Sequence, residues 1–189
     1  MADSPTLEVT DRVGRCLRAT FAWQRDRYSH QIEVLERGSM ATCLTSEEGD
    51  DRDQWPLSPP LQQSSMETAA HGRNIALLVG MAGKSHWSVS VECDPATSSL
   101  VFDVACRVGR QPRWLGTTYR ANSPIAIDSQ DANHAMICNR TAMFSVDSVD
   151  AAPGAAVKRE GDCISVVAPL LDASPPFTVR WKYRIGLLG

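Results

Sequence analysis

The chain has 189 residues, 43% apolar and 22% charged, with 19 basic against 22 acidic side chains for a formal net charge of −3. This is ordinary globular usage at a length that suits one domain, and it excludes collagen-like repeats, a coiled coil and wholesale disorder. The charge balance argues against bulk nucleic-acid binding, and no apolar run reaches the roughly 18 residues a membrane-spanning helix needs.

The opening MADSPTLEVT has neither the basic nor the apolar region of an export signal, so a cytoplasmic protein with reduced cysteines is expected. Strands are predicted over 6–10, 16–24 and 28–35, with the turn formers QRDR between the last two. The alternative over 25–38 is a helix, because Tyr28, Ile32 and Leu35 also fit a 3.6-residue stripe that Gly38 would cap. From 46 to 63 the sequence SEEGDDRDQWPLSPPLQQ reads as an irregular acidic and proline-rich excursion. Asp51 and Asp53 have the D-x-D spacing of a cation loop without its glycine and glutamate, and Pro56 and Pro59 have polyproline-ligand spacing. Trp55 in such a loop is expected to pack it back onto its own domain.

A strand over 75–80 leads into the strongest pair, HWSVSVEC and LVFDVACRV, joined by the turn-rich DPATSS. Trp87, Val89, Val91 and Cys93 alternate with polar residues, as do Leu100, Phe102, Val104, Cys106 and Val108, so a hairpin with one buried face follows. Further strands are predicted over 124–129, 135–138, 143–148 and 163–168. The last runs over 177–185, with Phe177, Val179, Trp181, Tyr183 and Ile185 on one face and Thr178, Arg180, Lys182 and Arg184 on the other. Many short strands with at most one or two short helices give an all-β, mainly antiparallel fold, a sandwich or barrel in a single domain over 1–189.

The string Gly80-Met-Ala-Gly83-Lys84-Ser85 ends like a phosphate-binding loop, but Leu78 stands where that motif needs glycine, and a strand pattern follows where a helix must begin. The hairpin's polar face holds more chemistry. His86, Ser88, Ser90 and Glu92 share one face of their strand, and Asp103 and Arg107 share that face of the next. Whatever the register, parity sets Asp103 near Ser88 or Ser90 and Arg107 near His86. A hydrolase or isomerase would use His86 with Asp103 or Glu92 as acid and base and Ser88 or Ser90 as nucleophile. A mid-strand serine lacks the strained turn and paired backbone donors that this chemistry needs, and a solvated sheet face explains the pattern equally.

Cations form the other pattern. Arg180, Lys182 and Arg184 line the polar face of the last strand, while Arg107, Arg110, Arg113 and Arg120 occur without an acid among residues 107 to 120. Either Glu92 and Asp103 neutralise the last strand, or the cations converge on a carboxylate or phosphate, with Trp114 and Tyr119 available for stacking. No metal site or cofactor is expected: His134 and Cys138 lie more than a nanometre apart along a strand, and the six cysteines contain no CxxC. Asn139-Arg-Thr141 has the form of a glycosylation acceptor, with no role expected in the cytoplasm. The leading expectation is a non-catalytic binding module for a polar or anionic ligand or a protein partner. It uses Arg107, Arg113, Arg120, Arg180, Lys182 and Arg184, and an unpaired sheet edge is available for homodimerisation.

Overall fold

Alternating apolar residues become strands when each can bury one face, and the computed structural model shows that happening throughout the chain. It describes residues 4–68, 73–122, 126–138, 143–149 and 155–188. Among the described residues there are fifteen strands and no helix, and every strand pairing is antiparallel. Among the described residues no helix is therefore long and apolar enough to cross a membrane. The Asn139–Thr141 tripeptide and the predicted start of the 124–129 strand lie outside the described residues.

The first four strands are β1 (Thr6–Thr10), β2 (Cys16–Gln24), β3 (Arg27–Glu36) and β4 (Ser39–Ser46). The helix alternative over 25–38 is overturned. Gln24 pairs with Arg27 across a two-residue turn in which Arg25 has φ 60°, and Glu36 pairs with Ser39 across Arg37 (φ 51°) and Gly38 (φ 78°). Two consecutive positive φ values make the second a type I′ turn, so Gly38 closes a hairpin instead of capping a helix. His30, Ile32 and Val34 point inward between these turns.

Residues 47–60 contain no strand. Next come β5 (Leu61–Thr68), β6 (Asn74–Ala82), β7 (Ser85–Asp94) and β8 (Ser99–Val108). They form a meander in which Ser90 opposes Asp103 and His86 opposes Arg107, as parity required. The remaining strands are β9 (Gly116–Ala121), β10 (Ala126–Asp131), β11 (His134–Cys138), β12 (Met143–Ser148), β13 (Ala156–Glu160), β14 (Cys163–Val167) and β15 (Phe177–Leu187).

Hydrogen bonding runs in the order β10-β11-β12-β15-β8-β7-β6-β5-β3-β4-β9-β14-β13, with β2 and then β1 branching from β3. The branch arises because the outer edge of β3 serves two partners: residues 31–36 pair with β4, and Tyr28 pairs with Leu61 of β5. The path nearly closes on itself, since Val157 N of β13 donates to Ala132 O in the β10–β11 turn at 2.6 Å. The result is a barrel-like sheet whose interior holds Phe21, Phe102, Phe144, Tyr119, Trp181 and Tyr183, all buried. Where opposite walls meet, His30 of β3 packs on Phe102 of β8 (5.7 Å between centroids) and Tyr119 of β9 on Tyr183 of β15 (6.3 Å).

Candidate functional site

The outer face of β6, β7, β8 and β15 is ordered in cross-strand rows. One row runs Met81–His86–Arg107–Thr178, the next Val79–Ser88–Ala105–Arg180, and the third Leu77–Ser90–Asp103–Lys182. In the second row Arg180 swings towards the third: its Nε donates to Asp103 Oδ1 at 2.7 Å and its Nη2 to Oδ2. Only the small side chains of Ser88 and Ala105 then remain as a floor. At the β5 edge the register slips between Leu61 and Gln63, and the Gln62 side chain turns onto Met81, accepting from its N–H at 3.0 Å and donating to its carbonyl at 3.3 Å. A bulge of this kind bends its strand out of the sheet plane.

These features enclose a groove of about 520 Å³ whose lining includes Val79, Met81, His86, Ser88, Ala105 and Arg107. Its volume lies in the range of small-molecule sites. Arg107 and His86 are exposed and adjacent, and among the described residues no carboxylate lies within ion-pair distance of Arg107. Val79 and Met81, each 45% exposed, form the apolar wall.

The structure separates the other predicted groups. Ser90 and Asp103 face each other, but His86 lies four residues along the strand from Ser90, roughly 13 Å at 3.3 Å per residue. Glu92 is two residues further on, opposite Val101. His86 is thus flanked by Met81 and Arg107, neither of them an acid that could orient it, and Ser88 by Val79 and Ala105. The cations divide as well. Arg180 pairs with Asp103, Arg120 Nε with Glu47 Oε1 at 2.5 Å, and Arg184 Nη2 with Asp147 Oδ2 at 3.5 Å, while Lys182 opposes Asp103 in register. Asp147 also receives His134 Nδ1 at 2.5 Å and Ser145 Oγ at 2.8 Å, so His134 belongs to that cluster. Among the described residues no group of His, Cys, Asp and Glu is placed to hold a metal. Arg107 is left in the groove and Arg113 in a separate cleft at one end of the molecule.

Sequence reasoning missed a buried polar chain. His30 Nε2 lies 2.7 Å from the Tyr119 hydroxyl, which lies 2.7 Å from that of Tyr183, tying β3, β9 and β15 together. Burial pushes the imidazole down to about 3, so His30 is neutral, and it pushes both phenols up. Ser46 Oγ accepts from His30 N at 2.8 Å and donates to Glu48 Oε1. Burial raises the Glu48 carboxyl to about 7, against the opposing pull of Ser46 and Arg27. His30 Nδ1 and Glu48 Oε2 are buried without a hydrogen-bond partner. Arg27, 3% exposed, clamps the excursion by donating to Glu48 O at 3.1 Å and Asp50 O at 2.9 Å. The one signal available from sequence was the parity of His30 with the apolar Ile32 and Val34.

The chain matches no protein-family model and no curated protein, so the groove's own chemistry is what bears on function.

Proposed function

We propose that the protein is a non-catalytic binding module for a small anion, a carboxylate on a short apolar body, taken up in the groove between Arg107 and Val79. One observation carries this reading: Arg107 is exposed beside a floor of Ser88 and Ala105, and among the described residues no acid neutralises it, those on that face being engaged or distant. A guanidinium in this setting offers parallel N–H donors to a carboxylate, and the Val79 and Met81 wall rewards apolar surface. The absence of a carboxylate beside His86 favours binding over general acid–base chemistry. A cytoplasmic location fits the free thiols of Cys16, Cys93, Cys106 and Cys163.

Calorimetric titration with unbranched carboxylates from acetate to octanoate tests the reading. Affinity should rise with chain length, Arg107→Gln should weaken every carboxylate at least tenfold (about 1.4 kcal/mol), and Val79→Ser should flatten the chain-length dependence. Undiminished binding by Arg107→Gln would refute the groove as an anion site.

A further inference from the structure

A second cleft, of about 690 Å³, lies between the loop after β4 and the loop after β8. Arg52 enters it from the first loop, Arg110 and Arg113 from the second, and Trp55 and Trp114 form part of its lining. All three arginines are exposed, and among the described residues none has a carboxylate within ion-pair distance. Asp53 lines the cleft too, its Oδ2 accepting from Asp50 N at 3.1 Å, so the lining sets three guanidiniums against one carboxylate. Arg110 Nη1 donates to Gln54 Oε1 at 3.2 Å, leaving its other donors for a ligand.

Both indoles are held from behind. Trp114 Nε1 donates to Leu57 O at 3.3 Å, and its ring lies over Gly116, where a Cβ would come within 3.0 Å of Cζ2. Trp55 packs edge-on against Trp87, 6.0 Å between centroids. Each ring is half-buried, so one part is fixed by the protein while the rest lines the cleft. The Gly83–Lys84 turn abuts Gln54, with a Cβ on Gly83 falling 3.4 Å from its Cγ, so Gln54 is held from that side.

We propose that this cleft binds a free nucleoside phosphate, with the guanidiniums on the phosphate and the indoles against the base. Phosphate suits several planar guanidinium donors, and a planar base suits indole faces; an aliphatic anion leaves the indoles unused. The volume accommodates a molecule of that class. The overall charge of −3 and the confinement of these cations to one cleft favour a single nucleotide over a polymeric strand. No residue here is shared with the Arg107 groove.

Titration of the full chain with AMP, inorganic phosphate and adenosine, followed by tryptophan fluorescence and calorimetry, tests the site. AMP should bind at least tenfold more tightly than either fragment. The double substitution Arg110→Gln with Arg113→Gln alters only exposed side chains; it should weaken AMP at least tenfold and leave adenosine unchanged. Trp114→Leu should reduce AMP to the affinity of phosphate, and Arg107→Gln in the groove should leave AMP binding intact. Phosphate binding as tightly as AMP, an unaffected double variant, or no AMP binding at millimolar concentration would overturn the site. An oligoadenylate that bound more tightly than AMP would overturn the free-nucleotide assignment.

Discussion

Burial raises the Glu48 carboxyl to about 7 and lowers the His30 imidazole to about 3, and the two shifts act on stability in opposite directions. Glu48 binds its proton more tightly folded than unfolded, so its contribution is complete below about 4.5 and is lost as pH rises through about 7. His30 binds its proton less tightly folded, so its contribution is complete above about 6.5 and is lost as pH falls towards 3. Between 4.5 and 6.5 the two offset each other. In Glu48→Gln that offset is gone, and stability should fall as soon as pH drops below 6.5. Relative to wild type the variant should gain on the order of 2–3 kcal/mol between pH 4.5 and pH 8. Urea midpoints at those two pH values check this; a difference between variant and wild type that did not change with pH would show that Glu48 is not the buried acid.

Glycine 80 shows why elements pack where they do. A Cβ there would lie 1.7 Å from Pro60 O, so β6 can pass beneath the end of the proline-rich segment only with no side chain at this position. The first glycine of the phosphate-loop-like string is therefore explained by close approach of two backbones. Gly80→Ala should force β5 from β6 and cost roughly 2–4 kcal/mol, read as a lowered urea midpoint with an unchanged slope; a cost under about 0.5 kcal/mol, the level of a neutral surface change, would mean the contact relaxes freely. Legibility followed the same physics. The β7–β8 hairpin and β15 were readable because each buries one face and exposes the other, and the adjacency of His86 and Arg107 followed from parity. Four strands were not readable. Strand β5 buries only Leu61, β9 buries four successive residues from Gly116 to Tyr119, and β13 exposes Lys158, Arg159 and Glu160 in a row. In β4 the register slip opposite Ile32 and Glu33 accompanies the burial of adjacent Cys43 and Leu44, which breaks the alternation. Glu48 and Tyr119 lie in a loop and in one of those strands, so their meeting with His30 depends on a topology that no local pattern encodes.

At the scale of the whole molecule, closure depends on the last strand. β15 pairs with β8 along ten residues from Phe177 to Gly186 and with β12 from Tyr183 to Leu187, so the ladder reaches β10, β11 and β12 through it, with the Val157 N to Ala132 O hydrogen bond at their other end. It also places Val179, Trp181, Tyr183, Ile185 and Leu187 in the core, and Tyr183 ends the hydrogen-bonded chain from His30. At about 2 kcal/mol for each fully buried large apolar side chain, removing these five withdraws on the order of 10 kcal/mol, comparable to the whole net stability of a domain. It also bares the facing edges of β8 and β12, each a template for association. A chain ending at residue 174 should therefore show no cooperative thermal transition and should aggregate at micromolar concentration. Lys182→Gln, which keeps the strand and removes one outer charge, should melt within a few degrees of wild type. Retention of a sharp melt by the truncated chain would mean that β1 to β9 close around a core of their own and that β15 is an addition to it.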